Sequence, residues 1–124
     1  MADVRVVLSG LWVAVMLTYL LGDVLRVFAG HVTPGEIGGK QASQGMWLGI
    51  AVIMLIPIVM VVLSLTLPYP AIGWVNIVVA GLVVVFNLAG LPYVGRYDNF
   101  LIIVSIVFNA LTAWYAWTWV STAA

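Results

Sequence analysis

The sequence predicts an all-α protein, a four-helix transmembrane antiparallel bundle built as a single integral membrane domain over residues 1–124. Three observations predict it. Four apolar runs, Val4 to Ala29, Met46 to Leu67, Ala71 to Leu91 and Phe100 to Val120, take up most of the chain. The composition is 65% hydrophobic and only 6% charged. Each run is long enough to cross ~30 Å of hydrocarbon as a helix. Inside hydrocarbon only helices and closed barrels satisfy every backbone polar group, and these runs are too long and continuous for barrel strands.

Helix 1, about 4–29, begins after Asp3 and stops where Gly30, Pro34, Gly35, Gly38 and Gly39 break the helical pattern. Arg5 ahead of an apolar run has the look of a signal peptide, but the run is too long for that, so it reads as an uncleaved first helix. The connection over 30–45 is the one sizeable loop. Ser43 or Gln44 can cap helix 2, about 46–67, and Pro57 near its middle predicts a kink. The short turn Leu67-Pro68-Tyr69-Pro70 makes helices 2 and 3 antiparallel neighbours. Helix 3, about 71–91, is ended by Pro92 and Gly95, and Asp98 or Asn99 supplies a capping oxygen to helix 4, about 99–120.

Four antiparallel crossings set the termini and the Leu67–Pro70 turn on one face and the first and third loops on the other. The aromatic residues agree with two interfacial belts: Tyr69, Trp74, Trp114, Tyr115, Trp117 and Trp119 at the first face, Phe28, Trp47, Tyr93 and Tyr97 at the second. Arg5 alone marks the first face, against Arg26, Lys40 and Arg96 on the second. The positive-inside rule then favours cytoplasmic loops 30–45 and 92–98 with the termini outside, a bias of two charges that leaves the opposite orientation, or both, open.

Composition removes several classes of function. Four basic and four acidic residues form no patch for nucleic acid. With no cysteine there is no disulfide, thiolate metal site or thiol redox chemistry. His31 has only Glu36 nearby as a second metal ligand. No membrane-embedded His or Lys can serve Ser9, Ser64 or Ser105 as a nucleophile, and the loop glycines lack the lysine and hydroxyl of a phosphate-binding loop. No catalytic, metal or cofactor site is expected, and the chain does not read as an enzyme.

The polar residues of the helices are the remaining candidates. Ionisable groups in a membrane segment are functional candidates by default, but Asp23 lies ~27 Å along helix 1, close to the far headgroups. There Arg26 can snorkel and pair with Asp23 one turn away. Trp12, Met16, Tyr19, Asp23 and Arg26 share one face of helix 1; Ser105, Asn109 and Thr112 form a stripe on helix 4, and Asn76 and Asn87 return to one side of helix 3. These stripes make either interhelical hydrogen bonds, the favoured reading, or a small polar cavity opening toward Asp23. Helix 2 is apolar all round and faces lipid or another copy. Gly45 and Gly49 at its start, and Gly81 on helix 3, suit close helix packing within the monomer or between copies.

Short motifs spread over nearly the whole chain carry a resemblance: Leu8-Ser9-Gly10-Leu11-Trp12 and Gly22-Asp23-Val24-Leu25, then Ile56-Pro57-Ile58-Val59-Met60, Leu63-Ser64, Leu67-Pro68-Tyr69, Trp74-Val75-Asn76-Ile77 and Trp114-Tyr115-Ala116-Trp117. The chain resembles an uncharacterised family of small bacterial four-helix membrane proteins. In that pattern an acidic residue precedes the Ile-Pro pair and basic residues follow Leu-Ser and precede Trp; here Leu55, Leu65 and Gly73 stand instead, so charge-dependent roles of the family do not carry over. The resemblance implies the topology and no activity; the location expected of the chain is the bacterial cytoplasmic membrane.

Two functions fit. The favoured one is an accessory or scaffolding subunit acting by helix–helix association in the bilayer, as a homo-oligomer or within a larger membrane complex. The alternative is a carrier or binding protein for a small apolar or amphipathic ligand, similar in size to the small multidrug transporters. Against coupled transport, no crossing has a charge near its middle.

Overall fold

The computed structural model describes residues 3–31, 33–37, 40–90 and 95–122. Gly38, Gly39, Leu91, Pro92 and Tyr93, which carry expectations above, lie outside them. The described residues form four helices, α1 (Val4–Phe28), α2 (Gln44–Thr66), α3 (Ala71–Gly90) and α4 (Arg96–Thr122). The loop between α1 and α2 holds a minimal antiparallel ladder, β1 (Glu36–Ile37) on β2 (Lys40–Gln41).

The helix ends follow from local chemistry. Asp3 caps α1, its carboxylate accepting from the Arg5 N–H at 2.9 Å. At the other end Gly30 takes a φ of 75°, a left-handed conformation that a side chain would disfavour. This turns the chain so that the His31 N–H reaches the Arg26 carbonyl and the Gly30 N–H the Val27 carbonyl, at 3.0 and 3.1 Å, satisfying two of the last carbonyls. Ser43 caps α2 by accepting from the Met46 N–H at 3.2 Å. Helix α4 corrects the sequence expectation. It begins at Arg96, with its first turn closed by the Asn99 N–H on the Gly95 carbonyl at 3.2 Å, so Asp98 lies inside the helix and is not its cap.

Side-chain contacts fix an up-down-up-down bundle. Ser9 donates to the Val61 carbonyl at 3.1 Å, placing α1 against α2. Gly22 lies beside Asp98 and Leu101, placing α1 antiparallel to α4. Gly73 lets α3 approach α4 so closely that a Cβ there would run into the Val120 side chain. The adjacency is α2, α1, α4, α3 around the bundle, with α2 meeting α3 at few positions. The tight turn between them holds only their ends together, near the bond from Asn76 Nδ2 to Ser64 Oγ at 3.4 Å. Farther along, α2 follows α1 and α3 follows α4, so α2 and α3 are antiparallel but not the closely packed neighbours that the turn length suggests.

The core consists of Leu8, Trp12, Val15, Met60, Ile72, Ala80 and Ala116, interleaved with buried Ser9, Ser64, Asn76, Ser105, Asn109 and Thr112. Large aliphatic and aromatic side chains such as Leu17, Leu48, Val62, Leu82, Phe86 and Phe100 face outward. An apolar exterior around a partly polar interior is the distribution that hydrocarbon solvent selects. All four helices are long and apolar enough to cross a membrane. Helix α2 buries only Pro57, Met60 and Ser64. The space above Gly49 and Gly81 is open to 4 Å, and Gly45 meets only its neighbour Ser43, so packing inside the monomer does not use these three glycines.

Candidate functional site

Because α2 and α3 part company beyond their turn, the bundle holds a cavity of about 370 Å³ reached by all four helices. Its walls are apolar: Ile53, Met54 and Pro57 from α2, Val79 and Val83 from α3, Leu101 and Ile102 from α4. Pro57 has no N–H to give the Ile53 carbonyl, which is thereby released from the helical ladder. Both residues line the cavity.

The polar groups gather at the end of the cavity near the α1 C-terminus. Arg26, in the last turn of α1, pairs with two carboxylates: Asp23 one turn earlier, and Asp98 of α4, whose Oδ2 lies 3.4 Å from its Nη1. Asp98 is only 3% exposed, whereas Asp23 is about half exposed. Gly22 lies level with Asp98, where a Cβ would make ordinary contact with the Asp98 Oδ1 at 3.8 Å. Beside them Asn87 Nδ2 donates to Tyr19 Oη at 2.5 Å, joining α3 to α1. His31 and Tyr97 stack with ring centroids 5.5 Å apart and share a hydrogen bond of 2.6 Å, tying the chain after α1 to the start of α4.

The residues singled out from sequence separate into two levels. Tyr19, Asp23, Arg26 and Asn87 line the cavity. Trp12 and Asn76 meet nearer the opposite end, where Trp12 Nε1 donates to Asn76 Oδ1 at 2.7 Å and Asn76 Nδ2 also reaches the Ile72 carbonyl at 2.9 Å. On α4, Ser105 and Thr112 bond to carbonyls of their own helix, those of Ile102 and Phe108, at 2.7 and 2.9 Å. Asn109 is fully buried, and neither of its side-chain polar atoms has a partner among the described residues. Gly45, Gly49 and Gly81 lie away from the cavity, on the outer surface.

Sequence reasoning missed two contributors. Asp98 was assigned to a cap, although the antiparallel register of α1 and α4, counted from their ends, sets it level with Gly22. Arg5 served only as an orientation marker, yet its Nη1 reaches the carbonyls of Ser64 and Leu67 at 3.3 and 2.7 Å and its guanidinium lies 5.4 Å from the Trp119 ring. Among the described residues no three potential metal ligands come together. The arrangement can do something simpler: enclose an apolar body while its charged end offers fixed polar partners.

No curated protein and no solved structure matches the chain. A family model does match, over residues 2–123, in keeping with the resemblance carried by the short motifs along the sequence. The chain belongs to this family, DUF6326, a family of unknown function.

Proposed function

We propose that this is an integral protein of the bacterial cytoplasmic membrane that binds a small amphipathic molecule in the cavity between α2 and α3, with loops 30–45 and 92–98 on the cytoplasmic side. The cavity carries this reading: apolar walls over most of its depth and one polar end, where Tyr19, Asp23, Arg26, Asn87 and Asp98 converge. A molecule dissolved in the bilayer would pass between α2 and α3 with its polar group at the headgroup level. The function is holding or presenting a ligand: no charged residue lies between Arg5 and Asp23, in α2 or α3, or after Asp98, so the charge on the cavity wall sits at one end.

Calorimetric binding of triphenylphosphine oxide, a neutral amphiphile, to the protein in lipid nanodiscs tests the reading against protein-free discs. Saturable binding that is lost in Val83→Trp, which fills the cavity, and kept in Val78→Trp on the outer surface supports it. Uptake no different from that of empty discs overturns it.

A second reading has its own observation. Open space over Gly49 and Gly81, on helices whose outer faces are apolar, suits close approach by another copy or by a larger membrane complex, with the chain as an accessory or scaffolding subunit. If so, Gly49→Leu or Gly81→Leu breaks up an oligomer in mild detergent. A monomeric wild-type protein under the same conditions rules out self-association.

A further inference from the structure

We propose that the cavity selects a cationic amphiphile, an apolar body carrying one ammonium, phosphonium or amidinium group, seated with its charge against Asp98 and Asp23. This rests on the binding reading above and adds the chemical class. The formal charges lining the cavity are two carboxylates, Asp23 and Asp98, and one guanidinium, Arg26. α2 contributes only apolar residues to the lining, and the polar residue from α3 is the uncharged Asn87. Of the other ionisable groups near this end, Arg96 points to the exposed side, Glu36 and Lys40 belong to the exposed hairpin, and His31 bonds Tyr97.

Arg26 is therefore shared by two carboxylates. It pairs with Asp23 one turn earlier in α1 and, across the helices, with Asp98 at 3.4 Å. Asp98 is the more deeply buried of the two carboxylates, and the pair has a single guanidinium between them on the cavity wall. The amino-terminal dipole of α4 adds about half a positive charge near it, which leaves the group of side chains anionic. Two carboxylates sharing one guanidinium attract a further cation that can shed its water, and an apolar cation does so at least cost. An anion would have to compete with both aspartates for Arg26 and would leave one of them unpaired.

Tetraphenylphosphonium and tetraphenylborate have nearly one shape and opposite charge, and with triphenylphosphine oxide they form a cationic, anionic and neutral set. Each is titrated into nanodisc-embedded protein, with partitioning into protein-free discs subtracted. The cation is expected to bind about tenfold tighter than the anion. Asp98→Asn should cut the ratio of cation to neutral affinity about tenfold. Should that variant fail to fold, Arg26→Gln serves: it raises the cation-to-anion ratio if the site is anionic and lowers it if Arg26 is the binding group. Saturable neutral binding with the borate equal to or tighter than the phosphonium overturns the charge class and spares the cavity. No saturable binding of any of the three overturns both.

Discussion

Replacing Asn76 by leucine separates a bundle held by polar contacts from one held by packing alone. Asn76 is fully buried, accepts a 2.7 Å bond from Trp12 Nε1, and reaches Ser64 Oγ at 3.4 Å, near the limit of a hydrogen bond. In membrane bundles an interhelical hydrogen bond contributes ~0.6 kcal/mol on average and at most ~1.7. The variant also strands the buried Trp12 N–H, a cost of roughly 1–3 kcal/mol when no partner replaces the lost one. The weak Ser64 contact adds little, so Asn76→Leu should destabilise the fold by about 2 kcal/mol. Trp12→Phe removes the donor itself. In the double variant neither the indole N–H nor the amide oxygen of the pair is left behind, and its loss should fall short of the sum of the single losses by about 1 kcal/mol. Reversible unfolding in mixed micelles with rising dodecyl sulfate, followed by far-ultraviolet circular dichroism, measures all four proteins. Additivity to within ~0.3 kcal/mol would refute the reasoning, because it would mean that the pair is not energetically joined.

Three further outcomes are expected in the same assay. Gly73→Ala should lose about 1–3 kcal/mol by pushing α3 off Val120, and Val120→Ala in the same chain should restore most of it; an unaffected single variant contradicts the close crossing. Arg5→Met should cost roughly 1–3 kcal/mol, since Arg5 satisfies the Ser64 and Leu67 carbonyls at the end of α2 and lies over Trp119; a change below about 0.5 would show that lipid headgroups replace those contacts. Asn109→Leu should be neutral or raise stability by up to about 2 kcal/mol, because it exchanges an unpartnered buried amide for an apolar side chain of like size. A clear loss there would reveal a bound water or ligand group on Asn109.

Much of the fold was legible because hydrocarbon leaves the chain few options. Run length gave the four helices, and the caps at Asp3 and Ser43 could be read from residue type, since each is a short oxygen-bearing side chain just ahead of an apolar stretch. The pairing of Asp23 with Arg26 followed from their spacing alone. What could not be read is how helices lean. The Leu67–Pro70 turn dictates that α2 and α3 are antiparallel, but packing along their length depends on side-chain volumes, and an all-apolar α2 offers no stripe to show which neighbour it prefers. It packs on α1 and leaves the cavity. The role of Asp98 was hidden for a related reason: near a helix start an aspartate reads first as a cap, and only the register against α1 brings it level with Gly22 and beside Arg26. The stripes on α1, α3 and α4 were visible as periodicities, yet their levels along the bundle axis decide which meet, separating Trp12 and Asn76 from Tyr19 and Asn87.

The central claim, that this bundle encloses a cavity built to hold one small amphipathic molecule, is tested most directly by the mass of the intact protein after extraction in mild detergent. Wild-type protein should carry one added small molecule per chain, retained in Val78→Trp and absent from Val83→Trp. A bare mass for the wild type, or the same adduct in Val83→Trp, would contradict it.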